Sequence, residues 1–173
     1  MNSVTRKAME WLAAAATDPR ACKRQWRGGT GIAVLACGRL WDVLSVPEEL
    51  GMPVLDTLLC IPQPPGPALA DTAARRVAFF LPPDPDGRWI GSGIRYAGRG
   101  SWIAVPAPHR PGERLRWLVP PDGTGALFAT AAVELALQVA IGRMAAQAGT
   151  RRPCPTCATP TRESALHNNG RTH

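Results

Sequence analysis

Apolar residues recur at helical spacing from the start of the chain. Val4, Ala8, Trp11, Leu12 and Ala15 predict a helix over 3–16. Asp18-Pro19 then opens a second, short and basic helix over 19–26, with aspartate as cap and proline at the first helical position. Gly28-Gly29 ends it. Short apolar runs at 31–36 and 40–46, separated by the turn Cys37-Gly38-Arg39, predict two strands. Pro47-Glu48-Glu49 starts a third helix, its two acids placed where the helix dipole favours them. That helix runs to about Leu59 and is expected to break near Gly51-Met52-Pro53. After the proline loop 61–67, strands are predicted at 67–70, 75–81, 88–90, 93–97, 101–105 and 115–119. A last helix spans 130–147, with Val133, Leu137, Ala140, Ile141 and Met144 along one face.

The order of these elements predicts an α+β domain over 1–148, with a largely antiparallel sheet flanked by helices. Residues 149–173, rich in Thr, Pro, Arg and Asn, read as a disordered basic tail. In 173 residues, 45% hydrophobic, there is enough apolar surface for one real core. No apolar run reaches the roughly 20 residues a membrane span needs. Arg6, Lys7 and Glu10 interrupt any export signal, so a cytoplasmic protein is expected, with no membrane partner.

The net charge is +7, carried almost wholly by arginine: 18 Arg against Lys7 and Lys23. Arg151, Arg152, Arg162 and Arg171 in the tail, against Glu163, hold a large share of it. Such a balance permits binding to nucleic acid through phosphate contacts and does not demand it. Arg20, Lys23, Arg24 and Arg27 beside Trp26 form one candidate phosphate-binding cluster, although a solvated helix face with an anchored tryptophan explains it more simply. Of the five cysteines, Cys37 and Cys60 read as small core residues, and an odd number without an export signal argues against structural disulfides. Cys154 and Cys157, followed by His167 and His173, have the donor types for a zinc site in the tail. The tail lacks the apolar residues a zinc finger folds around, so a chance pair of cysteines competes with that reading. Most of the six tryptophans alternate into the predicted core and read as packing.

The segment 93–108, Gly-Ile-Arg-Tyr-Ala-Gly-Arg-Gly-Ser-Trp-Ile-Ala-Val-Pro-Ala-Pro, is followed by Arg-Leu-Arg-Trp-Leu at 114–118. Together they resemble the C-terminal half of the bifunctional DNA primase/polymerase (Prim-Pol) domain of the archaeo-eukaryotic primase superfamily. Gly98, Gly100, Trp102 and Pro106 keep that family's pattern, residues 74–80 match its G-G-x-H-h-Y-F strand, and Gly31-Ile32-Ala33 its start. The pieces W-D-V-L-S-V-P at 41–47 and W-L-V-P-P-D-G-T-G at 117–125 resemble a short actinobacterial branch of it. The resemblance covers roughly 8–119. It implies a primase-like fold, nucleotidyl transfer with Mg²⁺ or Mn²⁺, and DNA or nucleotide as ligand.

The matching catalytic positions depart from that implication. The paired metal carboxylates fall at Ser45 and Pro47, the third at Arg95, the phosphate-contacting histidine at Val77, and the arginine of the R-G-x-G motif at Ala97. Asp42, three residues before Ser45, is expected on the opposite face of its strand. Arg95, Arg99, Arg110, Arg114 and Arg116 lie where the family handles nucleotide and template. On one sheet face they would make the cleft electropositive; strand alternation would instead scatter them. The leading expectation is a catalytically degenerate Prim-Pol-like protein that binds nucleic acid, a nucleotide or a protein partner. The alternatives are an active primase/polymerase with its acids elsewhere, and a protein-interaction module with an exposed apolar patch.

Overall fold

The structure, a computed structural model, describes residues 3–84, 87, 89, 91, 93–110 and 112–149. Four helices surround two antiparallel sheets, an α+β architecture. The helices are α1 (Ser3–Ala13), α2 (Pro19–Arg27), α3 (Glu48–Leu59) and α4 (Thr130–Gly149). Strands β1 (Ile32–Ala36) and β6 (Trp102–Pro106) pair as a separate two-stranded ribbon. Strands β2 (Asp42–Pro47), β3 (Ala68–Asp71), β4 (Arg76–Leu81), β5 (Arg95–Ala97) and β7 (Leu115–Val119) form the second sheet, in the order β5-β2-β4-β3-β7. The sheet expected from sequence is thus divided in two.

β4 is the central strand and is covered on both faces. That is why it reads as an unbroken apolar run from Val77 to Leu81 rather than as an alternation. One face carries Val43, Leu69, Ala78 and Phe80 into a core shared with α1, α2 and the β1–β6 ribbon. The other carries Leu44, Val46, Val77 and Phe79 against α3 and α4. Trp26 is buried, and its indole N–H donates to the Val105 carbonyl at 3.0 Å, tying α2 to β6. The basic residues of α2 are indeed a solvated face: Arg20 and Arg24 are exposed, and Arg24 lies 3.9 Å from the capping Asp18.

Several local expectations change. α1 stops at Ala13 because the chain bends toward the Asp18 cap, yet Ala15 and Ala16 stay buried. α3 runs through Pro53 without interruption. Gly51 there packs so close to β4 that an added Cβ would stand 2.5 Å from the Val77 side chain. Cys37 is buried, whereas Cys60 caps the C-terminus of α3 and is exposed. Ile141 and Met144 are exposed as well, because α4 extends past the core that buries Val133, Leu137 and Ala140. The strand expected at 88–90 falls partly outside the described residues, and Trp89 itself is in no strand. The proposed tail, with Cys154, Cys157, His167 and His173, lies outside the described residues. Among the described residues no helix is long and apolar enough to cross a membrane.

Candidate functional site

Strand register assembles the site. Across the five-stranded sheet, Arg95 of β5 faces Ser45 of β2, Ser45 faces Ala78 of β4, and Ala78 faces Leu69 of β3. One step along, Pro47 faces Arg76 and Arg76 faces Asp71. Period-two alternation brings all these side chains to one face. All but Pro47 floor a cleft of about 600 Å³, whose wall includes Ile32, Trp102 and Ala104 of the ribbon. Arg114, beside β7, closes its far side.

Arg76 is the best-held of these groups. Its Nε donates to Ser45 Oγ at 2.8 Å, and one terminal nitrogen donates to the carbonyls of Ser45 and Gly93, each at 2.6 Å. Burial and then the neighbouring Arg95 guanidinium lower its pKa from the ordinary arginine value, so both causes disfavour its charge. Among the described residues, Asp71 is the one carboxylate on the cleft lining. Its Oδ1 accepts from the Ala74 backbone N–H at 2.9 Å and lies 3.7 Å from Arg114 Nε. Among the described residues, three arginines and one aspartate give the lining an excess of two positive charges. Trp102 stands at the lip and is 58% exposed, because nothing covers the outer face of a two-stranded ribbon.

Of the residues singled out from sequence, Ser45, Pro47, Arg95 and Ala97 are therefore on the cleft side of their strands. Val77 is not: it is fully buried toward α3, and the β4 residues lining the cleft are Arg76 and Ala78. Register one residue off separates the two assignments. Arg114 joins Arg95 in the cleft, but Arg99, Arg116, Arg20 and Arg24 do not. Arg20 and Arg24 lie on α2, Arg99 in the turn after β5, and Arg116 next to the cleft-lining Leu115 on β7. Arg76 and the exposed Trp102 were missed. β4 has no alternation that would have pointed to the first, and the second becomes visible only once β6 is known to pair with β1 alone.

Asp42 lies, as expected, on the face opposite Ser45. It is 1% exposed. Its Oδ2 accepts from the Tyr96 hydroxyl and from the Asp84 backbone N–H at 2.7 Å. A cavity of about 40 Å³, lined by Gly38, Asp42, Pro83, Asp84 and Arg99, adjoins it. Gly38 (φ +87°) meets the Arg99 backbone so closely that a Cβ would sit 2.3 Å from its Cα, so the Gly98–Gly100 turn rests on the turn before β2. Among the described residues, no three His, Cys, Asp or Glu side chains group as a metal site.

These buried acids set an alkaline limit. Burial, then the hydrogen bond and charge of Asp42, raise the Tyr96 pKa. Burial pushes the Cys22 thiol up to about 11 and the Cys37 thiol up to about 12. Each group keeps its proton in the folded protein to higher pH than in the unfolded chain. Its stabilising contribution is therefore present below the unfolded value, near 9 for cysteine and 10 for tyrosine, and is lost as pH rises above it. The free energy of unfolding measured in urea is expected to hold until about pH 9 and then fall, at roughly 1.4 kcal/mol per pH unit for each proton involved. The single tyrosine makes this readable: tyrosinate absorbance should rise only with unfolding. An ordinary tyrosine titration in protein that is still folded would contradict the Tyr96–Asp42 geometry.

The family model for the N-terminal domain of bifunctional DNA primase/polymerase, Prim-Pol, matches residues 3–135. Comparisons with curated proteins and with solved structures find no match. The matched span takes in both sheets, the cleft between them and the first turns of α4. The chain belongs to the Prim-Pol family.

Proposed function

We propose that this domain holds single-stranded nucleic acid in its cleft through phosphate contacts, and that the cleft does not carry out metal-dependent nucleotidyl transfer. The observation that carries the reading is the Arg95–Ser45–Arg76 arrangement on the cleft floor. Nucleotidyl transfer uses carboxylates that converge on divalent ions, which align and neutralise the phosphates. The residues at those positions do not fit such an ion. Pro47 has no donor atom, the Ser45 hydroxyl already accepts from Arg76, and Arg95 brings charge of the ion's own sign. Asp71 is engaged by Ala74 and Arg114, and Asp42 lies beyond the sheet. Two guanidinium groups that repel each other are instead relieved by an anion. Trp102 adds an open aromatic face on which an unpaired base can stack. We place the protein in the cytoplasm, where the buried thiols Cys22 and Cys37 stay reduced.

The test pairs two assays on the full chain. Fluorescence anisotropy of a labelled oligothymidylate is expected to show binding that chelation of divalent ions leaves unchanged. Primer synthesis and extension with Mg²⁺ or Mn²⁺ are expected to show no incorporation. Incorporation lost in Asp71→Ala or Asp42→Ala would restore the reading of an active primase/polymerase. A folded protein that binds no oligonucleotide would turn attention to a protein partner.

A further inference from the structure

Pro108, His109, Arg110, Arg116, Trp117 and Pro120 line a groove of about 300 Å³ along the outer strand β7, separate from the cleft. Among the described residues its lining holds two guanidinium groups and an imidazole, and no carboxylate. Arg110 is held in place: its terminal nitrogen lies 3.5 Å from the Gly28 carbonyl at the end of α2, and its side chain packs against Gly31. The other walls are flat, apolar and stiff, being two prolines and a tryptophan whose N–H is already given to the Pro106 carbonyl at 3.2 Å. The groove and the cleft share no lining residue, but they lie near each other along the chain. Arg114, just before β7, lines the cleft and Arg116 of β7 lines the groove; two residues of chain separate them, a reach of at most roughly 7 Å.

We infer that this groove is a second phosphate-binding site, and that its ligand is the sugar-phosphate chain of a single strand that leaves the cleft over Arg114 and Arg116. The inference rests on the reading of the cleft as a nucleic-acid surface and adds a path to it. A mononucleotide occupies the cleft alone; a polymer spans both. The open Trp102 face at the far lip favours an unpaired strand over a duplex. The prolines and Trp117 limit the movement of the chain between the cationic groups, and the donors of Arg110 and Arg116 suit phosphodiester oxygens.

The experiment measures binding of a labelled mononucleotide, the shorter probe, and of a labelled oligothymidylate of roughly 16 nucleotides, the upper range one such surface covers, to full-length protein across a salt series. In Arg110→Ala/Arg116→Ala the longer probe is expected to lose about 10-fold or more in affinity. Its log–log salt slope should fall by about 1.4, two phosphate contacts on a single strand. The shorter probe should change less than about twofold. Arg110→Lys/Arg116→Lys, which keeps the charge, should restore most of the loss and exclude a folding defect. Equal effects on both probes, or none on the longer one, would overturn the proposal. So would inorganic phosphate that displaces both probes equally, which would make the groove a small-anion site. Arg95→Gln separates the two readings: if it leaves both probes unaffected while the groove variant weakens the longer one, the groove stands and the cleft reading falls. Wild-type protein that binds neither probe would remove both.

Discussion

Arg76→Gln/Arg95→Gln is expected to weaken oligonucleotide binding by at least about 100-fold at moderate salt. Each guanidinium offers charge-assisted hydrogen bonds worth roughly 1.5–3 kcal/mol when desolvated, and two of them exceed that factor even with some compensation. The two side chains stand on β4 and β5, the strands that flank β2 on either side of Ser45, and on the proposed reading they share one phosphate. The effect should be uniform across sequences, because phosphate contacts carry no base information. Trp102→Ala acts differently: it should cost about 1–3 kcal/mol for each base stacked and leave the salt slope alone. Thermal melts of the same proteins provide the control. Arg76 shares hydrogen bonds with Ser45 and Gly93, so its variant loses some stability, whereas Arg95, exposed on an outer strand, should lose little. Unchanged affinity in the double variant, with the fold intact, would exclude the cleft floor as the phosphate site.

Phe80→Ala is expected to lower the free energy of unfolding by about 3–5 kcal/mol. Phe80 is fully buried at the centre of the cleft-side core. Its ring centroid lies 5.6 Å from that of Trp41 and 5.6 Å from that of Trp117. Trp11 continues the cluster, 4.6 Å from Trp41. Removal of the ring leaves a cavity among large aromatic groups that cannot close it without moving α1 or β7. For a domain of this size the melting temperature should fall by about 10 °C or more. The comparison with Trp102→Ala is direct: an exposed tryptophan at the cleft lip should change stability by within about 0.5 kcal/mol. A Phe80→Ala loss under about 1 kcal/mol in urea melts would show that this cluster is not the core it is taken to be.

Much of this was legible from the order of residues. Proline and glycine turns bracket β2, β4 and β7, and period-two alternation puts Ser45 and Pro47 together and Asp42 opposite. What escaped was pairing. Nothing local to residues 32–36 says that they pair with 102–106, so the ribbon, and with it the exposure of Trp102, could not be foreseen. β4 is buried on both faces, which erases the alternation that would have fixed its register. Val77 was therefore assigned to the side that Arg76 and Ala78 occupy. Cys60 and Met144 failed for a different reason: both have the right residue type and spacing for burial, but each lies where its helix has run beyond the body that would cover it.

The division into two sheets also orders the folding of the chain. β3 and β4 are joined by a tight turn, and α3 packs on β2 and β4 close by in sequence, so their contacts close short loops. The ribbon instead joins residue 32 to residue 106 and carries the opposite wall of the cleft. Its loop-closure entropy is the largest of any strand pair, which makes it the last pairing expected to form. Destabilising changes in Val105 or Leu35 should then speed unfolding and leave the refolding rate nearly unchanged. The nascent chain gains both walls of the cleft only after β6 has been made.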